Sequence, residues 1–335
     1  MANDIGVVGA GGWGTALAKL LAEKGERVTL WCHGAECYRD IQDKRENCAY
    51  LPAIQLPRNI TPTQSLKVVV ADKFLVVCAV PSHAVREVFS AAMAQISSQT
   101  LMLCCTKGLE EGTLGTMGEL FADIFGAAND RRQAFLSGPT FAIEVARGLP
   151  AAATVASSAE EVAKVIQATL NAPSLRLYTS LDVIGVQIGG VVKNVIAIAA
   201  GISDGLGLGQ NARAALITRG LAEMTRLAVR MGADPMTLAG LPGLGDLVLT
   251  CAGDLSRNRS VGSQIAGGKS LQEILASTRT VAEGVRNTRS LFSLAQRLGV
   301  EMPIVEQMYQ VLYAGKKPAD AVRDLMQRSL KPEAG

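Results

Sequence analysis

The sequence predicts an α/β protein in which a mostly parallel sheet with helices is followed by an all-α region. Short apolar runs of strand length alternate with helical segments through the first half of the chain, which is typical of a parallel sheet. Strand-like runs stop near Leu181, and the rest of the chain has helical periodicity. We therefore predict two domains, residues 1–181 and residues 182–335, and a chain of 335 residues is long enough for both.

The composition indicates a compact globular protein, and its small net charge would suit a local site for an anionic small molecule. Apolar residues make up 48% of the chain and charged residues 19%, which excludes a largely disordered protein. The formal net charge is only +3, so we expect no nucleic-acid partner. The seven cysteines form no C-x-x-C pair and only two histidines are present, so we expect reduced thiols and no protein-bound metal. Without a basic n-region or a charge-free apolar run of membrane length, we expect a cytoplasmic protein with no integral membrane contact.

The first predicted strand leads into a glycine-rich turn. Residues 5–8 are apolar, residues 15–25 have helical spacing, and between them lies Gly9-Ala10-Gly11-Gly12-Trp13-Gly14. A G-x-G-x-x-G motif between a strand and a helix is typical of a Rossmann-type dinucleotide-binding domain. Gly9 permits the tight turn, Gly11 lets the backbone approach a pyrophosphate, and Gly14 allows close helix packing. The alternative is a glycine-rich turn that binds nothing.

The end of the second predicted strand, residues 27–31, bears on the choice of cofactor. An NAD-specific site usually has an acidic residue there for the ribose hydroxyls, whereas this chain has Cys32 and His33. Without a carboxylate to repel it, a 2′-phosphate is tolerable and could face His33, Arg39 or Lys44. We therefore expect NADP or NAD as the cofactor, with an ordinary surface position as the alternative for His33.

Further strands complete the predicted sheet, at residues 73–80, 101–105, 135–137, 151–156 and 175–179. In such sheets ligands lie beyond the carboxyl ends of the strands. Lys107 and the turn Gly138-Pro139-Thr140 each follow one of these strands, so both stand where a ligand is expected. The alternative is that neither binds a ligand: Lys107 is then a solvated charge on a loop, and Gly138-Pro139-Thr140 is an ordinary turn.

The helical half begins with residues 185–201, an apolar segment that carries one cation, Lys193. Its helical neighbours include no carboxylate, being Gly189, Gly190, Ile196 and Ala197. A helix that is apolar nearly all round is buried, and burial lowers the pKa of an ammonium group toward the range useful for proton transfer. Lys193 is therefore a candidate acid and base, although a lysine can also reach solvent along its helix.

The remaining helices are predicted at residues 212–231, 271–276, 283–298, 303–313 and 319–327. The segment 240–259 interrupts them as a predicted glycine-rich loop, in which Asp246 is a lone carboxylate in an apolar setting. Within it, a predicted helix start can bind a phosphate through the donors of Ser256, Arg257 and Asn258. The alternative is a mobile surface loop with basic side chains.

Seven separated motifs occur in a fixed order: Gly9-x-Gly11-x-Trp13-Gly14, Val80-Pro-Ser-His83, Thr106-Lys-Gly-Leu-Glu110, Ser137-Gly-Pro-Thr-Phe-Ala142, Gly190-Val-Val-Lys-Asn194, Gly243-Leu-Gly-Asp-Leu-Val-Leu-Thr-Cys251 and Ser256-Arg-Asn-Arg259. Together they resemble the bacterial-type NAD(P)-dependent glycerol-3-phosphate dehydrogenases, from the first strand to about Lys316. The chain departs from the family pattern at two places. Gly12 stands where the family often has Ser, and the residues just before Lys193 replace a commoner Leu or Ala. Neither departure removes a needed functional group.

The resemblance implies a Rossmann domain, a helical domain, a homodimer, and reversible reduction of dihydroxyacetone phosphate to sn-glycerol 3-phosphate for glycerophospholipid synthesis. It implies that Lys193 is the proton donor and acceptor, with Lys107 and Asp246 at the substrate. The other implied contacts with this small phosphorylated substrate are Gly138, Thr140, Ser256, Arg257 and Asn258. The implied contacts with the dinucleotide are Gly12, Trp13, His33, Lys107, Ala142, Arg257, Val281 and Glu283, although Glu283 can equally favour a helix dipole.

Two other functions remain open at this stage. Hydroxyacid dehydrogenases of the 3-hydroxyisobutyrate or 6-phosphogluconate kind also carry a Lys-Asn pair on the first helix after the Rossmann domain. Lys107 and Ser256-Arg-Asn-Arg259 favour a small phosphorylated ketone over those substrates. A dinucleotide-sensing protein without catalysis is the other alternative, and the intact Lys193 and Asp246 argue against it.

Overall fold

The computed structural model describes residues 2–277, 282–330 and 332–333. Within these ranges eight strands form one sheet: β1 (Asp4–Val8), β2 (Arg27–Trp31), β3 (Ile60–Thr63), β4 (Leu75–Cys78), β5 (Leu101–Cys104), β6 (Gln133–Ser137), β7 (Ala151–Ala156) and β8 (Leu175–Ser180). Their order across the sheet is β3-β2-β1-β4-β5-β6-β7-β8, and all neighbours are parallel except β6 and β7. The predicted mostly parallel sheet is therefore confirmed.

The edge strand β3 was not predicted from the sequence. It has only four residues, and one of them is Pro62. Proline cannot donate a hydrogen bond to a neighbouring strand, so it is tolerated at an edge and argues against a central strand. The β3 segment is therefore a strand because it pairs with β2, and its local sequence does not indicate this.

Helices cover both faces of the sheet: α1 (Gly12–Glu23), α2 (Ala35–Arg39), α3 (Leu66–Val70), α4 (Val85–Ala92), α5 (Met117–Phe125), α6 (Ala142–Ala146) and α7 (Glu160–Leu170). The central strand β1 shows why: Ile5 and Val7 belong to the apolar cluster that includes α1, whereas Val8 belongs to the opposite cluster with α4 and α5. A strand buried on both faces reads as a continuous apolar run, as this one does.

In the part of the chain after the sheet that the structure describes, helices are joined by turns and no strand occurs: α8 (Val183–Gly205), α9 (Gly209–Arg230), α10 (Pro235–Ala239), α11 (Asp246–Ala252), α12 (Arg257–Ala266), α13 (Leu271–Ser277), α14 (Glu283–Leu298), α15 (Pro303–Tyr313) and α16 (Pro318–Met326). The predicted all-α region is therefore confirmed. The sheet ends at Ser180 and α8 begins at Val183, while the division into two domains, 1–181 and 182–335, stays a prediction.

The helix α8 is the centre of the helical half, because α9, α11, α12 and α14 all pack against it. Among the described helices it alone has the length and hydropathy of a membrane span, but 83% of that apolar stretch is buried inside the protein. Helices that are apolar all round belong in a core when other helices cover them. The burial of α8 places its single cation, Lys193, inside the protein.

The predicted loop at residues 240–259 is wrong over most of its length, because this segment contains a π-helical turn at Leu241–Gly245 and then α11. The helix start predicted within it is confirmed, since Ser256 caps α12. The glycines of the segment serve close packing instead. A Cβ atom on Gly189 of α8 would lie 2.3 Å from the carbonyl oxygen of Pro242, so the backbones of α8 and the turn are in contact. Glycine lowers helix propensity, which is why the sequence favoured a loop where tertiary packing produces helices.

Candidate active site

Lys193 lies near the middle of α8 and is only 8% exposed. Its Nζ donates hydrogen bonds to Asp246 Oδ1 at 2.9 Å and to Thr250 Oγ1 at 2.9 Å. Both partners come from α11, because the face of α8 around Lys193 supplies no carboxylate. Hydrogen bonds to side chains of a different helix thus offset the free-energy cost of burying the ammonium group.

Asp246 connects this helix pair to the edge of the sheet. It is 1% exposed, and its Oδ2 accepts a hydrogen bond from Lys107 Nζ at 2.5 Å. Lys107 follows β5, and its Nζ also donates to the carbonyl oxygen of Gly138, which follows β6, at 3.2 Å. Thr140 Oγ1 donates to the same carbonyl at 3.2 Å. One buried carboxylate therefore holds two ammonium groups at the carboxyl ends of the parallel strands, and the three side chains carry a net positive charge.

The electrostatics of this cluster suit proton transfer. Burial, together with the nearby charge of Lys107, lowers the pKa of Lys193 to about 8, although Asp246 opposes this shift. Burial would raise the pKa of Asp246, but Lys107 and Lys193 outweigh it and hold that pKa below its usual value. At neutral pH Asp246 is therefore ionised, and Lys193 is an ammonium group whose pKa lies close to the ambient pH, as efficient acid–base catalysis requires.

Thr250 is a member of this cluster that the sequence analysis missed as a candidate. It is buried, its Oγ1 donates to the carbonyl oxygen of Asp246 at 2.6 Å, and it accepts the hydrogen bond from Lys193. Residues four apart on a helix share one face. The spacing of Asp246 and Thr250 would have revealed the pair, had the segment been predicted as a helix.

The start of α12 lies beside the cluster rather than in it. Ser256 caps this helix, since its Oγ accepts a hydrogen bond from the backbone N–H of Arg259 at 3.3 Å. Asn258 is buried, and its Nδ2 donates to Oδ1 of Asn194, the residue after Lys193, at 2.8 Å. Arg257, the first residue of α12, is exposed. The structure thus leaves Arg257 exposed as a residue, although burial around its guanidinium lowers the pKa of that group, and it ties Asn258 to α8.

The glycine-rich turn has the geometry that a dinucleotide requires. Gly9 has a φ angle of +116°, and a Cβ atom on Gly14 would lie 1.9 Å from the carbonyl oxygen of Gly9, so side chains are excluded at both positions. In contrast, apart from Gly11 and its two chain neighbours, no atom of the described residues lies within 4 Å of the place that a Cβ atom on Gly11 would take. The first backbone N–H groups of α1 have no partner within the helix. These residues therefore fit a pyrophosphate group.

Other predicted dinucleotide contacts lie around this turn. Ala142 is the first residue of α6, and its Cβ lies 3.8 Å from where a Cβ atom on Gly12 would stand. Trp13 is half-buried on the turn itself. His33 is exposed just after β2, with its ring centroid 5.6 Å from that of Trp31. The structure thus leaves the His33 imidazole free to meet a ligand group, whereas Ala142 can contribute only van der Waals contact and backbone groups.

Glu283 contacts the sheet half of the protein as well as beginning α14. Its carboxylate accepts two hydrogen bonds from Ser82, one from the backbone N–H at 2.9 Å and one from Oγ at 2.7 Å. One turn later Asn287, which is buried, donates through Nδ2 to the carbonyl oxygen of Lys107 at 3.3 Å. Neither contact was predicted, because each joins residues at least 180 positions apart. The predicted contact Val281 lies outside the described residues.

The structure therefore brings Lys193, Lys107 and Asp246 into one hydrogen-bonded cluster, with Gly138 and Thr140 at its edge. Among the described residues, no group of three or more His, Cys, Asp or Glu side chains is arranged to hold a metal ion. The chemistry available at this site is that of two ammonium groups and a carboxylate, which suits proton transfer to an oxygen and stabilisation of negative charge.

Comparison with known proteins identifies relatives over the whole chain. Residues 4–163 match the family model described as NAD-dependent glycerol-3-phosphate dehydrogenase N-terminus, and residues 182–323 match its C-terminus counterpart. The chain is 53% identical over 333 residues to glycerol-3-phosphate dehydrogenase (NAD(P)+) of Geobacter sp. (strain M21), covering 99% of both chains. It is 54% identical over 327 residues to the protein of the same name from Anaeromyxobacter sp. (strain K), covering 98% of both.

Solved structures give the same result. The fold matches the crystal structure of glycerol-3-phosphate dehydrogenase from Coxiella burnetii with a TM-score of 0.93 and 40% sequence identity. The match covers 98% of this chain and 99% of that one. The match therefore includes both the sheet and the helical half.

Proposed function

The chain belongs to the NAD-dependent glycerol-3-phosphate dehydrogenase family, and from this premise we propose that it catalyses the reversible NAD(P)H-dependent reduction of dihydroxyacetone phosphate to sn-glycerol 3-phosphate. The observation that carries this proposal is the cluster in which buried Asp246 holds both Lys193 and Lys107. The cluster lies at the carboxyl edge of a parallel sheet, where doubly wound folds bind their ligands.

The proposed mechanism divides the work between cofactor and protein. The dinucleotide, when bound, supplies or accepts the hydride. As negative charge develops on the ketone oxygen, Lys193 donates a proton to that oxygen from Nζ, and Lys107 stabilises the charge electrostatically. In the reverse direction, neutral Lys193 accepts the hydroxyl proton of the alcohol. Asp246 and Thr250 hold the Lys193 ammonium in one orientation through their hydrogen bonds.

The proposed phosphate site is the start of α12. Arg257 supplies a guanidinium group there, and the first N–H groups of a helix attract anions through the helix dipole. Ser256 and Asn258 would complete this site, with Gly138 and Thr140 near the rest of the substrate. A phosphorylated ketone uses this arrangement, whereas an unphosphorylated one does not.

We propose NADP or NAD as the cofactor, held by the turn Gly9 to Gly14 and by Ala142. His33 supports binding of a 2′-phosphate, because it is exposed at the end of β2, where an NAD-specific site carries an acidic residue. We also propose Arg257, Val281, Glu283 and Lys107 as cofactor contacts, following the family pattern. A cofactor preference for NADPH is expected on this basis.

We further infer from the family resemblance that the protein acts as a homodimer in the cytoplasm and that its product enters glycerophospholipid synthesis. A size-exclusion profile with light scattering measures the mass of the particle directly. A single species of about 35 kDa, the mass of one chain, would contradict the homodimer.

The reaction is tested by the loss of NADPH or NADH absorbance on adding dihydroxyacetone phosphate to the purified protein. One control is unphosphorylated dihydroxyacetone. The other is 6-phosphogluconate, assayed in the oxidative direction with NADP or NAD. Turnover only with the phosphorylated ketone is the expected result, with NADPH preferred over NADH. Turnover of 6-phosphogluconate alone would indicate a hydroxyacid dehydrogenase, and tight cofactor binding without any turnover would indicate a sensor.

A further inference from the structure

An ion-pair network that the proposed reaction does not use lies near the C-terminal end of α8. Asp204 Oδ1 accepts hydrogen bonds from Arg213 of α9, from Nε at 2.9 Å and from Nη2 at 2.5 Å. Its Oδ2 accepts one from Nε of Arg259, in the first turn of α12, at 2.6 Å. The Asp204 side chain is only 15% exposed. Partly buried networks of this kind are screened by salt much less than surface pairs are.

The network acts on a helix that already touches α8 backbone to backbone. A Cβ atom on Gly201 of α8 would lie 1.9 Å from the carbonyl oxygen of Arg259. A Cβ atom on Gly262 of α12 would lie 2.0 Å from the carbonyl oxygen of Ile198. Apolar side chains of α12 such as Val261 pack in the same core as α8. Polar contacts from the first turn of α12 add to this packing in setting the position of α12 on α8.

Two such contacts hold the first turn of α12. Asn258 bonds Asn194, which adjoins Lys193, and Arg259 bonds Asp204. Asn194 and Asp204 are ten residues apart on α8, which corresponds to about 15 Å along the helix axis. Asn258 and Arg259 thus attach α12 to α8 on both sides of the point where the two helices cross. Arg257 immediately precedes this pair.

We propose that Asp204, together with Arg213, is a positioning residue for the phosphate group of the substrate. Asp204 holds Arg259 and thereby the first turn of α12, so that Arg257 and the free N–H groups of that turn meet the phosphate at a fixed distance from Lys193. Arg213 occupies Oδ1 of Asp204 and so leaves Oδ2 directed at Arg259. This inference rests on the proposed function, and it adds a residue that does not touch the substrate.

The variant Asp204→Asn tests this role, because its amide offers one oxygen where two guanidinium groups each need one. We expect the KM for dihydroxyacetone phosphate to rise about tenfold, with kcat and the KM for the cofactor within about twofold of wild type. Asp204→Glu restores the charge and should recover part of the lost affinity. Arg213→Gln should raise the same KM by a smaller factor, because it leaves the pair of Asp204 with Arg259 intact.

The control is Asp324→Asn, which removes the ion pair with Lys316 in the same helical half without touching α12. It should leave all the kinetic constants unchanged. Melting temperatures of every variant separate a local effect from a loss of folding, and if Asp204→Asn does not fold, Arg213→Gln carries the test.

Three outcomes would overturn the inference. If the wild type is active and the folded Asp204→Asn variant has an unchanged KM for dihydroxyacetone phosphate, the role of Asp204 is overturned while the proposed function stands. Equal losses in kcat and in the affinities for cofactor and substrate, in step with a lower melting temperature, would indicate a merely structural role. A wild type that does not reduce dihydroxyacetone phosphate would overturn the proposed function itself, and the role of Asp204 with it.

Discussion

At the scale of single residues, the proposed chemistry depends on the protonation state of Lys193. Burial lowers its pKa to about 8, while Asp246 keeps it from falling further. A lysine in water has a pKa of about 10.4 and would release its proton far more slowly near neutral pH. The same carboxylate also binds Lys107, so one anion sets both the charge and the orientation of the two cations.

Replacing Lys193 with alanine removes the proposed proton donor but leaves the glycine-rich turn untouched. We expect kcat to fall by about two to four orders of magnitude, which is the usual contribution of general acid catalysis. Cofactor affinity, measured by fluorescence titration with NADPH, should stay near the wild-type value. Near-normal turnover of Lys193→Ala would contradict the assignment.

The pH profile should follow Lys193. The ammonium form is needed to donate a proton, so kcat for ketone reduction should be high below pH 8 and fall about tenfold per unit above it. The kcat for alcohol oxidation should show the opposite trend and level off above pH 8. In Asp246→Asn, the opposing charge is lost and the midpoint of both profiles should move to lower pH. An unchanged midpoint in that variant would contradict the role given to Asp246.

Arg257→Ala tests the proposed phosphate site. A charge-assisted hydrogen bond contributes roughly 1.5–3 kcal/mol, so the KM for dihydroxyacetone phosphate should rise by about one to two orders of magnitude. The kcat should change much less, because Arg257 is remote from the proton in the proposed mechanism. Arg230→Ala, another exposed arginine at the end of α9, is the matched control and should leave KM unchanged.

At the scale of secondary-structure elements, helix ends in the helical half are stabilised by side chains from other helices. Glu223 of α9 is 1% exposed, and its carboxylate accepts hydrogen bonds from the backbone N–H groups of Ile304 at 2.6 Å and Val305 at 3.2 Å. These residues follow Pro303, which begins α15 and has no N–H of its own to satisfy. A distant carboxylate therefore provides the cap that the local sequence of α15 lacks.

The burial of Glu223 should make stability depend on pH. Burial raises its pKa to about 7, although the two backbone N–H groups oppose this. The folded protein binds this proton more tightly than the unfolded chain does, so protonated Glu223 adds to the free energy of unfolding. This stabilisation, about 3 kcal/mol, is fully present below about pH 4 and is lost as pH rises toward 7. In Glu223→Gln this decline in the free energy of unfolding should disappear.

Urea unfolding at several pH values between 5 and 8 measures this contribution. The control is Glu273→Gln at the start of α13, because Glu273 is exposed and its pKa is lowered by hydrogen bonds from Ser270. If wild type and Glu223→Gln showed parallel pH dependence, the raised pKa of Glu223 would be wrong.

At the scale of the whole molecule, the candidate site exists only where the sheet half and the helical half meet. Lys107 comes from the sheet edge, whereas Lys193 and Asp246 come from α8 and α11. The contact between Ser82 and Glu283 joins the same two halves next to the end of β4. Docking of the two halves is therefore a condition for the chemistry and not only for stability.

Glu283→Ala should loosen this junction on the cofactor side. The variant leaves the backbone N–H of Ser82 without its acceptor, so we expect the KM for the dinucleotide to rise more than the KM for dihydroxyacetone phosphate. Ser82→Ala removes only the hydroxyl and should have a smaller effect in the same direction. Steady-state kinetics with each substrate varied in turn measure both constants, and a selective rise in the ketone KM would contradict this reasoning.

The local sequence determined the elements whose signals lie within one strand, turn or helix. The strand, glycine-rich turn and helix around Gly9 and Gly14 were predictable because tight turns and helix periodicity are properties of neighbouring residues. The burial of Lys193 was predictable for the same reason, since the apolar surface all round α8 is visible in the sequence.

Only the tertiary structure decided which groups meet. Asp246 lies 53 positions from Lys193 and 139 positions from Lys107, and no local pattern encodes contacts at such separations. Packing also overruled local preference where glycines brought the segment after α10 against α8 and produced helices in place of a loop. Strands, turns and helices follow from short-range sterics and periodicity, whereas the charged cluster follows from the way the apolar faces of distant elements bury one another.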